Sequence, residues 1–414
     1  MRILIVTQYF WPENFRINDL VLELKSRGHE LIVLTGKPNY PAGKIFPEFC
    51  DQPEKFREYC GAEVIRVPMI ARSSGFFRLG LNYLSFSVSA IFCGAWSLRR
   101  KSFDLVFVYG PSPIIVALPA ILLARIKRIP VIFWVLDLWP ESLSAVGAVR
   151  SKKILKLVGF LVRFIYKHCT LVLGQSQSFV SRIALYCKDK SKIRYYPSWA
   201  EDLFDTESIK APEISIKKNS FDIVFAGNIG ESQDMPAILD AAEILKYKKN
   251  IRWFIIGDGR KYEWLQLEVK RRKLEREVLI LGRYSIDRMP SFYAHADALL
   301  VTLKKDPVFS LTIPAKLQSY LMAGIPVLGM LDGEGARLIN DANAGISSPA
   351  GDSDALASSV LEMMSKEPSE RREIGRKASE YIKKEFDRGM LVSNLENFFN
   401  EAILMYENKN DKQK

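Results

Sequence analysis

The stretch PSWAEDLFDTESIKAPEISIKKNSFDIVFAGNIG, residues 197–230, marks a change of pattern near the middle of this 414-residue chain. Its first part, residues 197–220, is polar and shows no apolar period, as linkers do. Its second part begins with a continuous apolar run and ends in glycines, which is typical of a buried parallel strand and its turn. The stretch therefore predicts that a second domain begins here, as expected for a chain longer than one ordinary core.

Apolar runs of strand length alternate with helical patterns on both sides of this linker. They are RILIVT (2–7), ELIVLT (30–35), EVIRV (63–67), DLVFVY (104–109), VIFWV (131–135) and TLVLG (170–174) before it, and FDIVFAG (221–227), IRWFIIG (251–257), VLILG (278–282), DALLVTL (297–303) and PVLGM (326–330) after it. Repeated strand–helix units predict an α/β fold of two Rossmann-like, doubly wound domains that face each other across a cleft. The predicted domains are residues 1–200 and 201–385. Residues 386–414 are predicted to form a helix that packs back on the first domain, and a polar tail.

Positive charge is concentrated in the first half of the chain. Residues 64–188 carry a net charge of +14, in a chain whose total is +12. This stretch has seventeen Lys and Arg but only three acids, which are Asp104, Asp137 and Glu141. Such a bias indicates an anionic partner, either phospholipid or nucleic acid. A basic surface that serves solubility alone is the alternative.

The segment LGLNYLSFSVSAIFCGAW, residues 79–96, helps to distinguish phospholipid from nucleic acid as the anionic partner. Its length approaches that of a membrane span, about 20 residues. Polar residues interrupt it and both ends are basic, with Arg99, Arg100 and Lys101 following it. It therefore predicts a helix in the membrane interface whose cationic ends contact lipid headgroups, with a buried core helix or a single span as alternatives. The predicted partner is an anionic membrane surface and not nucleic acid.

The N-terminus and the cysteines bear on location. MRILIVTQYF lacks the cleavage site of a signal peptide, and the five cysteines form no CxxC pair. Reduced thiols are typical of the cytoplasm. The chain is therefore expected to be cytoplasmic and peripheral on the inner face of the plasma membrane.

Several familiar catalytic motifs are missing from the sequence. There is no P-loop and no GxSxG elbow, and the glycines at 257–259 fail the dinucleotide fingerprint because position 262 is Tyr. The three histidines are not spaced as metal ligands. Asp352 and Asp354 have a DxD form, but they precede a helical pattern, where an Asp is the ordinary N-cap. Neither a metal nor a cofactor is therefore expected.

Glycines mark three strand ends in the second half: AGNIG (226–230), IGDGR (256–260) and LGR (281–283). Without a Cβ atom the backbone can approach a phosphate or ribose closely. Gly227, Asn228, Gly257 and Arg283 are therefore candidate ligand contacts. Ordinary turns between strand and helix are the alternative.

The segment SLTIPAKLQSYLMAGIPV, residues 310–327, predicts a helix that begins near Pro314 and ends at Gly324. A helix N-terminus can hold a diphosphate through its backbone N–H groups and its dipole. Lys316 lies in the first turn, where a cation is unfavourable unless it serves an anion. Lys316 is therefore a candidate phosphate ligand, with an ordinary surface lysine as the alternative.

A series of short motifs runs along nearly the whole chain. They are RGHELIVLT and VIFWVLDLWPESL in the first half, and AGNIG, IIGDGR, LGR, FYAHADALLV, KLQSYLMAGIPVL and GEGARLINDANAGI in the second. This order resembles the family-four retaining glycosyltransferases. DLWPES, GNIGESQ and PAKLQSYLMAG together resemble the WbuB-like branch of that family, which contains L-fucosamine transferases of O-antigen and capsule assembly.

The resemblance implies a GT-B fold with the donor held by the C-terminal domain. It implies a UDP-sugar donor, with N-acetyl-L-fucosamine as the sugar, and an undecaprenyl-diphosphate-linked sugar as acceptor in O-antigen, lipopolysaccharide or capsule biosynthesis. It also implies retention without a protein nucleophile, because the leaving phosphate assists attack on the same face.

The sequence departs from the family pattern at two places that concern sugars. The positions of the family's glutamate pair are Leu311 and Ser319 here, so Ser319 and Glu334 are expected to contact the donor instead. The family's N-terminal Gly-Gly loop is replaced by residues 13–16. Asn14 and Arg16 are therefore expected on the acceptor side.

A third departure concerns the donor phosphates. The family's phosphate-binding Arg is replaced by Asn228, and its Lys by Gln233 or Asp234. Arg283 and Lys316 are expected to supply the missing positive charge.

Asp137 and Glu141 follow the predicted strand VIFWV in a stretch that is otherwise basic. A carboxylate at a strand end can orient or deprotonate an acceptor hydroxyl, so both are candidate catalytic residues. Asp137 could equally cap the next helix. Two other interpretations of the chain stay open: a soluble UDP-sugar 2-epimerase of GT-B fold, and an inactive partner subunit that has lost the glutamate pair.

Overall fold

The computed structural model describes residues 1–40, 43–72, 76–145, 149, 151–200, 220–248 and 250–411. The chain forms two compact units, one of Met1–Pro197 with Gly389–Lys414 and one of Ser198–Arg388. The edges of these units lie at residues 197/198 and 388/389, next to the predicted domain limits of 200/201 and 385/386. Each unit contains one doubly wound sheet, which confirms the predicted α/β class with two Rossmann-like domains.

The first unit contains an eight-stranded sheet in the order β3-β4-β2-β1-β5-β6-β7-β8. The strands are β1 (Arg2–Val6), β2 (Glu30–Gly36), β3 (Glu58–Tyr59), β4 (Ala62–Val67), β5 (Leu105–Gly110), β6 (Val131–Val135), β7 (Leu171–Gly174) and β8 (Ile193–Tyr195). All neighbours are parallel except β3 and β4. Val6 lies opposite Leu34 on one side and Val108 on the other, so the loops after β1, β2 and β5 leave the same edge.

The helices of the first unit cover both faces of this sheet. They are α1 (Arg16–Ser26), α2 (Pro47–Asp51), α3 (Phe76–Ser89), α4 (Ala95–Leu98), α5 (Ala117–Lys127), α6 (Glu141–Ala145), α7 (Lys152–His168) and α8 (Gln177–Tyr186). A π-helical turn, Ala90–Gly94, joins α3 to α4, so the two form one continuous helix.

The second unit contains a six-stranded parallel sheet in the order β11-β10-β9-β12-β13-β14. The strands are β9 (Phe221–Ala226), β10 (Ile251–Ile256), β11 (Val278–Gly282), β12 (Ala298–Thr302), β13 (Val327–Met330) and β14 (Gly345–Ser348). The helices are α9 (Met235–Ile244), α10 (Tyr262–Arg271), α11 (Met289–Tyr293), α12 (Ala315–Met322), α13 (Glu334–Asp341), α14 (Ser353–Ser365) and α15 (Pro368–Glu385). Asp352 accepts a hydrogen bond from the Ala355 N–H at 2.9 Å, so it caps α14 as predicted.

The last helix, α16 (Arg388–Asp411), belongs to the first unit over almost its whole length. Arg27 at the end of α1 donates to Glu396 of α16 at 2.9 Å. The Phe399 ring meets the Phe107 ring of β5 edge-on, with centroids 5.8 Å apart. These contacts cover one face of the first sheet.

Candidate functional site

Glycines at the ends of β9 and β10 bring two loops of the second unit into direct contact. The Gly227 N–H donates to the Ile256 carbonyl at 2.9 Å, and the Gly257 N–H donates to the Gly282 carbonyl at 2.8 Å. A Cβ atom at Gly257, whose φ is 142°, would lie 1.8 Å from the Gly227 carbonyl oxygen. Only glycine fits at position 257, because any side chain would push these strand ends apart.

The same two loops continue as one backbone surface beyond the strands. The Ile229 N–H donates to the Asp258 carbonyl at 2.8 Å, and the Lys261 N–H donates back to the Ile229 carbonyl at 3.0 Å. The exposed Asn228 amide lies over Gly259, whose Cβ would be 2.7 Å from its oxygen. The predicted contacts Gly227, Asn228 and Gly257 therefore lie side by side.

Lys316 brings a cation to this surface from α12. Its Nζ donates to Gln233 Oε1 at 2.7 Å and lies 3.8 Å from the centroid of the Phe225 ring. A Cβ atom at Gly227 would be 2.9 Å from that nitrogen. Protein surrounds the ammonium although the rest of the side chain keeps some exposure, and this burial lowers the pKa of Lys316 to about 7.

Lys316 has no counter-ion among the described residues, where no carboxylate lies within 4.0 Å of its ammonium. A buried cation without a counter-ion costs folding free energy, so it is retained where a ligand supplies the negative charge. The geometry favours an anion bound between the glycine loops and the first turn of α12. The role of Lys316 as a phosphate ligand stays a prediction.

Tyr320 is a residue of this site that sequence reasoning missed. Its hydroxyl accepts from the Ala226 N–H at 2.9 Å and donates to the Ala226 carbonyl at 3.1 Å. Lys316 and Tyr320 are one helical turn apart on α12, so both reach the end of β9. Tyr320 thereby fixes the backbone next to Gly227 relative to the helix that carries Lys316.

The other predicted donor contacts have different surroundings. Glu334 begins α13, is 3% exposed and forms an ion pair with Arg337. Ser319 is buried on α12. Arg283 is exposed after β11, and β10 separates that strand from β9. The geometry therefore brings Gly227, Asn228, Gly257 and Lys316 together, and the roles of Ser319, Glu334 and Arg283 stay predictions.

Asp137 follows β6 at the carboxyl edge of the first sheet. Its carboxylate accepts a hydrogen bond from the Trp139 indole at 3.1 Å. Burial raises the pKa of the Asp137 carboxyl, and hydrogen bonds from neighbouring groups, Trp139 among them, partly oppose that rise. A carboxylate with a raised pKa at a sheet edge is suited to accept a proton.

The second candidate acid, Glu141, turns toward α8. Its Oε1 lies 3.4 Å from the Tyr186 hydroxyl, which donates to it. Its Oε2 is buried and has no hydrogen-bond partner among the described residues. The two carboxylates thus have separate surroundings, and the geometry favours Asp137 over Glu141 as a base.

Glu13 lies in the segment, residues 13–16, that replaces the Gly-Gly loop of the family. Its Oε1 accepts from the N–H groups of Asn39 and Tyr40, both at 2.7 Å, and its Oε2 from the Phe10 N–H at 3.1 Å. The carboxylate therefore ties the loop after β1 to the loop after β2. Asn14 is exposed, and Arg16 begins α1 and is mostly buried, so their acceptor-side roles stay predictions.

Three neighbouring helices of the first unit carry exposed apolar side chains. They are Leu84, Val88, Phe92 and Trp96 on the α3–α4 helix, Leu122 and Ile126 on α5, and Ile154, Leu157, Phe160 and Phe164 on α7. Phe92 and Trp96 are 71% and 69% exposed. Because α5 packs against both other helices, these side chains form one outward surface, called the apolar face below.

The α3–α4 helix also has a side that packs inward. Arg78–Leu98 has the length and composition of a membrane span, criteria that core helices of soluble proteins also meet. Asn82 is buried, accepts from Gln8 Nε2 at 2.7 Å and donates to the Ile70 carbonyl at 2.6 Å. A helix tied to the sheet on one side lies along the unit, which argues against a single span.

Comparison with known proteins places both units in sequence families. Residues 14–199 match the family described as "Glycosyl transferase 4-like domain". Residues 207–381 match the family described as "Glycosyl transferases group 1". The boundary between the two matches, residues 200–206, falls within the predicted linker.

Two curated proteins are similar to this chain in sequence. WcaI of Escherichia coli K12, assigned as a colanic acid biosynthesis glycosyl transferase, is 24% identical over 340 residues, or 78% of this chain and 82% of WcaI. WbjE of Pseudomonas aeruginosa, assigned as a glycosyltransferase, is 28% identical over 243 residues, or 56% of this chain and 59% of WbjE.

Among solved structures, HepE of Anabaena in complex with UDP is similar in fold. The TM-score is 0.70 at 14% sequence identity, over 97% of this chain and all of HepE. This likeness confirms the predicted GT-B fold.

Proposed function

We propose that this chain, whose two parts match the glycosyl transferase 4-like and group 1 families, transfers a sugar from a UDP-sugar to a lipid-diphosphate-linked saccharide during synthesis of a cell-envelope polysaccharide. The observation that carries the donor half of this proposal is the buried Lys316 ammonium beside Gly227. A diphosphate there would meet backbone N–H groups, a helix dipole and a cation in one place. UDP bound to HepE and the assignment of WcaI to colanic acid biosynthesis support the same interpretation.

Titration with UDP, UMP and uridine tests the donor site. UDP should bind at least about tenfold more tightly than uridine, because charge-assisted contacts to the diphosphate supply most of the affinity. Isothermal titration calorimetry on the full chain measures all three. Equal affinity for UDP and uridine would show that the site does not recognise the diphosphate. That result would contradict the proposed donor site.

The apolar face and the charges around it support a membrane-borne acceptor. Arg99 stacks on Trp96 at 4.0 Å at one end of the α3–α4 helix. A pocket of about 400 Å³ at the C-terminal end of α7 combines aromatic rings with cations, namely Phe160, Phe164, Arg163, Lys167, Lys188 and Lys192. Exposed aromatic and aliphatic side chains beside Lys and Arg are typical of proteins that lie on anionic bilayers. The protein would then act on the inner face of the plasma membrane.

Reversal of the three basic residues after α4 should release the protein from membranes. Each Lys or Arg near an anionic surface contributes about 1 kcal/mol, so changing Arg99, Arg100 and Lys101 to Glu should weaken binding by on the order of a hundredfold. Sedimentation with vesicles of phosphatidylglycerol and phosphatidylcholine measures this. The same charge change on α15, at Arg372, Lys377 and Lys384, should leave binding intact. If the variant changed at Arg99, Arg100 and Lys101 still sedimented with the vesicles, the membrane contact would have to lie elsewhere on the protein.

The donor sugar, the product and the stereochemistry of the reaction are inferred from the resemblance to the WbuB-like branch and its family. The WbuB-like motifs favour N-acetyl-L-fucosamine as the donor sugar and O-antigen or capsule as the product. Retention would need no protein nucleophile, since the departing diphosphate can assist attack while the protein positions both substrates. A UDP-sugar 2-epimerase would need no lipid, and the apolar face favours the transferase over it.

A further inference from the structure

Arg72 is a partly buried cation at the carboxyl edge of the first sheet, shortly after β4. Its Nη1 donates to the Tyr9 hydroxyl oxygen at 3.3 Å, and its guanidinium lies 5.3 Å from the centroid of the Tyr40 ring. Tyr83 of α3 also interacts with it. Neutral aromatic side chains therefore surround the guanidinium.

The backbone of Arg72 is held in place by buried groups. Its N–H donates to Asn39 Oδ1 at 2.8 Å, and the Asn39 N–H donates to Glu13 Oε1 at 2.7 Å. Asn39 and Glu13 are both buried. The guanidinium is thus carried by a backbone position anchored through Asn39 and Glu13, which favours recognition of an anion at a fixed place.

Arg72 lacks a counter-ion in the same way as Lys316. No carboxylate of the described residues lies within 4.0 Å of its guanidinium, and its neighbours are phenols. A partly dehydrated guanidinium whose side-chain partners among the described residues are phenols matches the oxygens of a phosphate, which it can bind at two points. The surroundings therefore favour an anionic ligand over a structural ion pair.

Tyr83 connects this cation to the candidate base. It interacts with Arg72 and with Ser112, and it lies within electrostatic range of Asp137. Ser112 in turn interacts with the Asp137 carboxylate. Arg72 and Asp137 therefore stand at two ends of one polar cluster at the carboxyl edge, where ligands of such sheets bind.

The position of α3 indicates how a lipid would reach this cluster. Tyr83 and the exposed Leu84 are adjacent on α3, so one side of that helix faces the cluster and the next side belongs to the apolar face. A lipid chain lying on the apolar face would bring its headgroup toward the side of α3 that carries Tyr83, the partner of Arg72. The polar cluster thus lies beside the apolar face, the surface proposed to contact the membrane.

We propose that Arg72 binds the diphosphate of the lipid-linked acceptor, while Asp137 faces the acceptor hydroxyl. The assignment rests on the proposed function and names the part of the acceptor that the first unit recognises. Tyr9, Tyr40 and Tyr83 position the guanidinium and keep water from it. An acceptor without the diphosphate would then lose this contact and no other.

Binding of geranyl diphosphate, a soluble isoprenoid diphosphate, tests the proposal without requiring turnover. The titration uses the full chain with Lys316→Met, so that the cation of the second unit does not contribute. Adding Arg72→Gln should weaken binding at least about tenfold, whereas Arg78→Gln, on the exposed start of α3, should not. Geraniol should bind equally weakly to all three proteins. Equal affinity for geranyl diphosphate with and without Arg72→Gln would overturn the assignment.

Kinetics separate a direct role from a structural one. With saturating donor, Arg72→Gln should raise KM for the lipid-diphosphate acceptor at least about tenfold and leave KM unchanged for a matching glycoside that lacks the diphosphate. Arg72→Lys should recover part of the loss. Equal loss with both acceptors would show that Arg72 only supports the fold of the loop. If no lipid accepts sugar but geranyl diphosphate still depends on Arg72, the proposed function fails and the anion site stands.

Discussion

Replacing Asp137 with Asn should lower kcat for glycosyl transfer by at least about a hundredfold, because a positioned general base contributes on the order of 10² to 10⁴ in rate. Asn keeps the size of the side chain and removes its ability to accept a proton. The affinity for UDP should not change, since Asp137 belongs to the first unit and the donor contacts to the second. Initial rates at saturating substrates measure the effect.

The pH profile gives a second readout for Asp137. Burial raises the pKa of its carboxyl, so the rate of the wild-type enzyme should fall as the pH drops through that raised value. The amide introduced by Asp137→Asn does not titrate, so the residual activity of the variant should lack this acidic limb. The variant should also be no less stable at neutral pH, because a group whose folded-state pKa is raised stabilises the fold less once it ionises.

Glu141→Gln is the matched control. Its carboxylate contacts Tyr186 of α8, so this change should leave kcat within a few-fold of wild type. A large loss with Glu141→Gln and a normal rate with Asp137→Asn would exchange the two roles. Normal rates with both variants would remove the carboxylates from the chemistry.

Replacing Lys316 with Met should weaken UDP binding by about ten- to a hundredfold and at the same time stabilise the protein. The loss of affinity corresponds to a charge-assisted contact worth about 1.5–3 kcal/mol. The gain in stability follows because Met removes a buried cation without a counter-ion, a change that yields on the order of 1–4 kcal/mol. Calorimetric titration and urea unfolding measure the two effects on the same samples.

The sign of the pH dependence follows from the lowered pKa of about 7. Below pH 7 Lys316 is charged in both the folded and the unfolded state, so the full cost of burying the charge is present. Between about 7 and the ordinary lysine value the unfolded state binds more protons, so wild-type stability rises with pH. The stability advantage of Lys316→Met should therefore be larger at pH 6 than at pH 9.

The affinity for UDP should also depend on pH, but it should fall as the pH rises, whereas stability increases. Above pH 7 Lys316 must take up a proton before it can hold a diphosphate, so wild-type affinity should fall as the pH rises. Lys316→Arg keeps its charge and should bind UDP with much less dependence on pH. Unchanged UDP affinity in Lys316→Met would remove Lys316 from the donor site, whatever happened to stability.

Most of the fold could be predicted because long apolar runs report buried parallel strands directly. Strands β1, β6 and β9 begin at or within one residue of the predicted positions. The strands that were missed are short or weakly apolar: Glu58–Tyr59 and Ile193–Tyr195 are sheet edges, and Gly345–Ser348 reads GISS. Edge strands of this kind are too short or too polar to produce a recognisable apolar pattern in the sequence.

The candidate donor site could be predicted in part because two of its features are visible in short stretches of sequence. These are glycines at strand ends and a lysine in the first turn of a helix, where a cation is unfavourable. Gly227, Gly257 and Lys316 stand out one by one in the sequence. Tyr320 and Arg72 do not, because their importance depends on partners far along the chain. Tyr320 reaches Ala226 since β12, the strand before α12, lies next to β9. Arg72 meets Tyr9 since the loops after β1, β2 and β4 leave the same edge.

The apolar face was predicted only for its first helix. The α3–α4 segment is apolar enough to attract attention, whereas α7 mixes apolar residues with lysines and reads as an ordinary amphipathic helix. Both sides of α7 are apolar: Val162 and Ile165 face the core, and Leu157 and Phe160 face outward. A sequence period shows that a helix has apolar sides but does not show which of them the sheet covers.

Mass spectrometry of the lipid pool distinguishes sugar transfer to a lipid from isomerisation of the donor. The full chain is incubated with a panel of UDP-sugars and an undecaprenyl-diphosphate-linked sugar, and the lipid and nucleotide pools are analysed together. We expect a lipid heavier by one sugar residue and an equal amount of released UDP, with both formed at least about a hundredfold more slowly by Asp137→Asn. A UDP-sugar isomerised without any change in the lipid would contradict the proposed transfer and establish the epimerase in its place.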